Sequence, residues 1–475
     1  METPEQYADA IVGRAWAAAE QFRQFDQPRV DAIVKAVYTA AYAARLDLAR
    51  LAFDETRMGV YEHKVIKNAW ASVLVYEDIR SRRTVGVVAQ DPAAGVTEIA
   101  QPKGPILATI PVTNPTSTTI FKALICMKTR NPVIFSPHRG ARKCIKETAR
   151  ILADAATAAG APCDSIQCVT HAQSGHVERI MRHPKLAMIL ATGTSSIVRV
   201  AEASGTPTLG VGPGNVPVYV HVSADLAGAA RAIAHSKTFD NGTICASEQA
   251  LVVERAVGDR LRPLLEARGA CFCTPGEMRA LGPVCWDSEQ QRMRADVVGQ
   301  PAAVIAARAG FSVAEKVRLL IAQPDGIGSD HPLSHEILAP VLAQYVCETY
   351  DDALAACEAV TRRGGVGHTV GVYANDERVV ADFAKMNAAR ILVNQPSTEG
   401  AIGGLFNSLR PSLTLACGTG AGNLNTDNIS TEHLLNIHRV ARLRPNARWM
   451  GTPRETWLDP SIGADEILEI YNRNY

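Results

Sequence analysis

The heptapeptide Asp240-Asn241-Gly242-Thr243-Ile244-Cys245-Ala246, continued by Ser247-Glu248-Gln249, sets one cysteine between a flexible Asn-Gly turn and a polar stretch that can open a helix. A thiol attacks as its thiolate, and the backbone N–H groups and dipole at a helix start stabilise an anion there. Cys245 is therefore the candidate nucleophile, against the general tendency of a free cysteine to be a small buried hydrophobe. Three other segments carry groups that such a nucleophile needs. In Pro111-Val112-Thr113-Asn114-Pro115 two prolines exclude regular helix and leave Asn114 on a rigid loop, where its amide can donate to an oxyanion. The same Asn-Pro and the Thr/Ser run after it also read as a turn and a helix cap. Gly210-Val211-Gly212-Pro213-Gly214-Asn215-Val216-Pro217 is too glycine-rich for the interior of a helix or strand, and can bring its backbone, Gly212 included, close to a ligand. Its G-x-G-x-G spacing, followed by an apolar run, does not match a dinucleotide fingerprint. Gly364-Gly365-Val366-Gly367-His368-Thr369 places His368 in a mobile glycine loop, a setting that suits a proton shuttle.

Further blocks accompany these: Gly59-Val60-Tyr61-Glu62-His63-Lys64-Val65-Ile66-Lys67-Asn68, Lys128-Thr129-Arg130-Asn131, Phe135-Ser136-Pro137-His138, Ser236-Lys237-Thr238-Phe239 and Pro411-Ser412-Leu413-Thr414-Leu415. With them the chain resembles, over nearly its whole length, the acylating aldehyde dehydrogenases. These are the coenzyme A dependent branch of the aldehyde dehydrogenase superfamily, and the likeness is greatest to the first half of the bifunctional aldehyde-alcohol dehydrogenases and to the acylating succinate semialdehyde and sulfoacetaldehyde dehydrogenases. The resemblance implies an α/β, aldehyde dehydrogenase-like fold of two Rossmann-like lobes with a small oligomerisation hairpin. It assigns the nucleophile to Cys245 and the oxyanion donor to Asn114, acting with the Cys245 backbone N–H. Glu336, in His335-Glu336-Ile337-Leu338-Ala339-Pro340, becomes the glutamate that holds the nicotinamide ribose, where an isolated glutamate would read as a surface carboxylate. Hydrolytic relatives carry a glutamate general base in a Gly-rich loop upstream of the cysteine, and that position aligns with Val211, which cannot deprotonate water. A thioester on Cys245 then waits for the thiol of coenzyme A, far more ionised than water near neutral pH. The expected reaction is aldehyde, CoA and NAD(P)+ giving acyl-CoA and NAD(P)H, reversibly, with His368 taking the proton of the CoA thiol. A hydrolytic aldehyde dehydrogenase making free acid is the alternative.

Cofactor choice turns on Ser136-Pro137-His138-Arg139-Gly140-Ala141-Arg142, which by resemblance lies near the adenosine ribose and carries no carboxylate to bind both ribose hydroxyls. Arg139 and Arg142 match a 2′-phosphate instead, so NADP is expected to be accepted as well as NAD. Thr192-Gly193-Thr194 follows a strand and precedes a helix, where N–H groups can meet a pyrophosphate, although helix capping explains it equally. Arg410, just before Pro411, is a candidate to meet the carboxylate or sulfonate of succinate semialdehyde or sulfoacetaldehyde; as a plain surface arginine it would leave acetaldehyde equally acceptable.

The elements that must position these groups are legible in outline. A chain of 475 residues, 47% hydrophobic, can form two large lobes. A net charge of +1, from 49 Lys and Arg against 48 Asp and Glu, gives no bias toward nucleic acid or membrane. No run reaches the roughly 18 apolar residues of a transmembrane span and no apolar leader is visible, so a cytoplasmic protein is expected. The 11 cysteines are scattered without paired C-x-x-C units, which points to reduced thiols and no metal site. Pro4 to about Arg83 reads as three alanine-rich amphipathic helices, and Thr84 to Pro102 as a hairpin that, by resemblance, supports a homodimer or higher homo-oligomer. Short apolar strands then alternate with helices, at Ile106–Ile110, 133–135, 166–169, 188–191, 218–222, 250–253, 304–305, 317–321, 370–373 and 390–393, implying parallel sheets. The expected organisation is a dinucleotide-binding lobe over 1–238, with the hairpin at about 84–102. A catalytic lobe follows over 239–417, and a tail over 418–475 returns to the first lobe and the dimer interface.

Overall fold

Strands such as Ile106–Ile110 and Val133–Pro137 show almost no polar alternation. In the computed structural model, which describes residues 3–170 and 174–473, every residue of both is buried, as parallel strands covered on both faces require. They belong to a five-stranded parallel sheet in the order Ile166–Cys168, Val133–Pro137, Ile106–Ile110, Met188–Thr192, Thr208–Val211. Because side chains alternate along a strand, Leu107, Ile134 and Ile189 enter one core with the helix Pro4–Phe22. Ile106, Ala108, Val133, Phe135 and Leu190 enter the other, with the helices Gln27–Ala43, Pro115–Lys128 and Arg142–Ala158.

A second parallel sheet has seven strands in the order Ala270–Phe272, Leu319–Ala322, Val341–Cys347, Glu248–Glu254, Val216–Val220, Gly367–Tyr373, Ala388–Val393. Val218, Val220, Leu251 and Val253 pack under the helices Leu226–Thr238 and Arg255–Glu266. Tyr219, Val252, Val370 and Val372 pack under Tyr350–Gly364. The expected hairpin is present as Gly86–Asp91 against Val96–Pro102, and Leu435–Ala441 joins it as a third antiparallel strand, so the tail returns to the hairpin. Among the described residues no helix is long and apolar enough to cross a membrane.

Several elements differ from the sequence reading. The strand Val216–Val220 and the helix Leu226–Thr238, assigned from sequence to the first lobe, belong to the second sheet. The chain therefore crosses between sheets at Gly212–Asn215. Gly210 and Val211 close one strand and Val216 and Pro217 open the next, so the glycine-rich segment is strand at both ends. Val304 and Ile305 lie in a helix, Ala302–Arg308, because Pro301 starts it and alanines outnumber the β-branched pair. The third N-terminal helix is really two, Arg45–Thr56 and Tyr61–Ile79, separated by left-handed Arg57 (φ 56°), the second carrying a π-helical turn at Trp70–Leu74.

Candidate active site

Asn114, His138 and Thr194 follow the carboxyl ends of first-sheet strands, whereas Cys245, Glu336 and His368 stand at the amino ends of second-sheet strands. Asp240, Asn241 and Gly242 have φ of 49°, 52° and 70°, three consecutive left-handed residues that Asp, Asn and Gly tolerate best. A β-carbon at Gly242 would stand 2.8 Å from the Ala339 carbonyl oxygen, so the turn also needs glycine for space. Cys245 follows in a turn closed by the Ser247 N–H on the Ile244 carbonyl (2.9 Å). The polar stretch after it opens the strand Glu248–Glu254, not a helix. The expected helix-start stabilisation of the thiolate is therefore absent, and burial, with Glu336 and Cys417 adding to it, pushes the Cys245 thiol up to about 12.

His368 also differs from expectation. It is the second residue of the strand Gly367–Tyr373, fully buried, and its Nε2 lies 3.3 Å from Cys245 Sγ. Nδ1 contacts the Thr369 hydroxyl at 2.9 Å. Arg390 braces the segment, donating to the carbonyls of His368 (2.8 Å) and Ala416 (3.0 Å). Burial, then Arg390, lowers His368 to about 3, so the imidazole is neutral at physiological pH. Glu336 is not a surface carboxylate. Burial raises it to about 8 despite the Gly214 N–H donating to Oε1 at 2.9 Å, so it is mostly protonated near neutrality.

Asn114 precedes the helix Pro115–Lys128 without capping it through its side chain. Its Nδ2 donates to Thr113 Oγ1 (3.1 Å) and to the Thr243 carbonyl (3.3 Å), which ties the amide to the turn two residues before the cysteine. Its Oδ1 accepts from Lys67 Nζ at 2.6 Å. Lys67 is ion-paired with Asp240, as is Lys64 at 3.2 Å. Asp240 also accepts from the Val60 N–H (2.7 Å) and the Thr243 hydroxyl (2.7 Å). Burial alone would raise Asp240, but Lys67, Lys64 and the Val60 N–H outweigh it and hold the carboxyl below its usual range. Burial lowers Lys67 to about 8, still above neutrality. Sequence reasoning missed this cluster because lysines three apart on a helix read as a solvated face.

The remaining candidates lie at strand ends and in the segments that follow them. Ser136 and Pro137 end the strand Val133–Pro137, and His138 accepts from the Gly140 N–H (3.1 Å) beside exposed Arg139. The absence of a carboxylate at this turn is corrected by the fold. Glu55, from a distant helix, accepts the N–H groups of Lys143 (2.8 Å) and Cys144 (2.7 Å) at the start of Arg142–Ala158. Thr192, Gly193 and Thr194 lead into the helix Ser195–Glu202, whose first turn has no side-chain cap, and space is open around Gly212. Arg410 is engaged by Glu432 at 2.9 Å, with Asp78 at 3.9 Å, so its charge is balanced in place. Beside the Cys245 turn, Phe239, Ile244, Ala246, Ile402 and Leu415 form an apolar cluster packed against Trp70 and Leu413.

Cys245 and His368 thus meet at 3.3 Å, with the Asn114 amide tied to the turn that carries the cysteine. The family model for aldehyde dehydrogenases matches residues 2–409, and the chain belongs to the aldehyde dehydrogenase family. It is 40% identical over 468 residues, 97% of its length, to the bifunctional aldehyde-alcohol dehydrogenase of Escherichia coli, of which it spans about half (52%). With the sulfoacetaldehyde dehydrogenase (acylating) of Cupriavidus necator it shares 36% identity over 91% of its own chain and 88% of the relative. The fold matches an acetylating aldehyde dehydrogenase from Geobacillus thermoglucosidasius with a TM-score of 0.90 at 41% identity, covering 93% of this chain and 98% of that one. It matches a Rhodopseudomonas palustris propionaldehyde dehydrogenase, with bound CoA and an acylated cysteine, with a TM-score of 0.83 at 26% identity, covering 92% and 97%. These relatives place the chain in the acylating branch of the family, oxidoreductases that act on aldehydes.

Proposed function

We infer that the chain converts a short, uncharged aldehyde and coenzyme A to the acyl-CoA, and the reverse, through a thioester on Cys245. The observation that carries this is the 3.3 Å contact between Cys245 Sγ and a neutral, buried His368 Nε2. As the sulfur adds to the carbonyl carbon, His368 takes its proton, so a thiolate forms only when it is used. The oxyanion of the thiohemiacetal falls to Asn114 Nδ2 and the Cys245 N–H, donors worth about 2.7–4 kcal/mol each when preorganised. A bound nicotinamide would supply the hydride acceptor that oxidises this carbon to the thioester. Ser136, Pro137, His138 and Arg139 would hold its adenosine end, Thr192, Gly193 and Thr194 its pyrophosphate, and Gly212 and Glu336 its ribose beside Cys245. The uncapped helix start after Thr194 fits that assignment. Once His368 has released its proton, it takes the proton of the CoA thiol, whose sulfur displaces Cys245, and returns that proton to the leaving Cys245 thiolate.

Water is a poor competitor here. Val211 is buried in its strand, and burial raises Glu336 to about 8, which makes it a poor base for water at neutral pH. The balanced charge of Arg410 favours acetaldehyde over succinate semialdehyde or sulfoacetaldehyde. NAD and NADP are both expected to serve, and the three-stranded sheet built on the hairpin is suited to a homodimer. The test is formation of reduced nicotinamide from the three aldehydes, with NAD or NADP, with and without free coenzyme A. Strict dependence on coenzyme A with acetaldehyde best is the expected result; sustained turnover without coenzyme A would contradict it.

A further inference from the structure

A carboxamide fits its site in two orientations of nearly identical shape, with oxygen and nitrogen exchanged, and its neighbours decide between them. At Asn114 the deciding neighbour is Lys67, buried to 1% exposure on the helix Tyr61–Ala69. An ammonium has three N–H donors and no lone pair, so whatever faces it must be an acceptor. Lys67 faces Asp240 Oδ2, Asn114 Oδ1 (2.6 Å), Thr243 Oγ1 (3.3 Å) and the Thr113 carbonyl (3.4 Å). Exchanging the ends of the amide would set its NH2 against the ammonium and its oxygen against the Thr243 carbonyl, losing two hydrogen bonds and adding two repulsions.

We propose that Lys67 is a positioning residue that fixes the Asn114 carboxamide with its N–H groups toward the Cys245 turn. Asp240 anchors Lys67, and is itself held by Lys64, Thr243 and the Val60 N–H, so a rigid ionic post runs from the left-handed turn to the amide. The ammonium also polarises the carboxamide, which makes Nδ2–H a stronger donor in a low-dielectric site. This inference rests on the reading of Asn114 as the oxyanion donor, and the experiment separates the two.

The experiment is a double-mutant cycle on single-turnover formation of reduced nicotinamide, with iodoacetamide alkylation of Cys245 as a control readout. Lys67→Met and Asn114→Ala should each slow the step by roughly 100-fold, the loss seen when one oxyanion donor is removed. The double variant should be only a few-fold slower than Asn114→Ala, and the alkylation rate should stay unchanged. If Lys67→Met does not fold, the same cycle is run with Lys67→Gln, which keeps an N–H donor; its smaller loss should vanish in the Asn114→Ala background. Losses that multiply, or a Lys67→Met enzyme at full speed, would overturn the positioning role alone. An Asn114→Ala enzyme at full speed would overturn it together with the oxyanion assignment.

Discussion

Two clusters share the turn from Asp240 to Cys245, and they handle charge in opposite ways. At Cys245 and His368, burial keeps both partners neutral, raising the thiol to about 12 and lowering the imidazole to about 3. At Asp240, Lys64 and Lys67, all three almost wholly buried, charges are kept and paired. The difference separates reacting groups from positioning groups. A pair that must exchange a proton with substrate starts without charge, so the charge is created only as the bond forms, where Asn114 can meet it. A post that must hold geometry through the reaction carries full charges, because removing either partner leaves an uncompensated ion in a dry interior.

Cys245→Ala should abolish thioester formation, lowering kcat by roughly 10⁴-fold or more, as for loss of a nucleophile acting in a unit; residual turnover above that level would place the nucleophile elsewhere. His368→Gln should slow acylation by about 10²–10⁴-fold, the range for general acid–base groups. It should also change the acid limb of stability. The native imidazole titrates near 3 and the unfolded one near 6.5. The unfolded chain therefore binds the proton first, and stability present above pH 6.5 is lost as the pH falls toward 3. Urea unfolding between pH 7 and 4 should show a shallower decline for His368→Gln than for the parent. Asp240→Asn strands two lysines and should lower the unfolding free energy by about 3–5 kcal/mol; a loss below 1 kcal/mol would make the ionic post dispensable. Arg139→Ala should raise KM for NADP by roughly fivefold and leave NAD unchanged, as fits an exposed ion pair. Arg410→Ala should alter kcat/KM for charged and uncharged aldehydes alike by less than about twofold, because this arginine already has its carboxylates.

The hairpin and most strands were legible from local signals, apolar runs such as Ile106–Ile110 and Asp91-Pro92 with Gly95 between β-branched runs, but the strands Thr208–Val211, Ala270–Phe272 and Val341–Cys347 were not. Cys245, Asn114 and His368 were legible as candidates, and the fold brings His368 onto the cysteine. What escaped was long-range. Asp240 meets lysines 173 and 176 positions away, and Glu55 caps a helix 88 positions on, which no window of sequence displays. The electrostatic state escaped too. From sequence Cys245 reads as a thiolate at a helix start, but the Ser247-Glu248-Gln249 stretch that resembles a helix opening is recruited to the central strands of the second sheet. His368 reads as mobile among its glycines, yet β-sheet pairing of Gly367–Tyr373 with its neighbours buries it.

The most direct test of the account is the mass of the intact protein after incubation with acetaldehyde and NAD in the absence of coenzyme A. An acetyl adduct that maps to Cys245, persists for minutes, and leaves as stoichiometric acetyl-CoA when coenzyme A is added is the result predicted. No adduct, an adduct on another residue, or one that hydrolyses as fast as the enzyme turns over would contradict it.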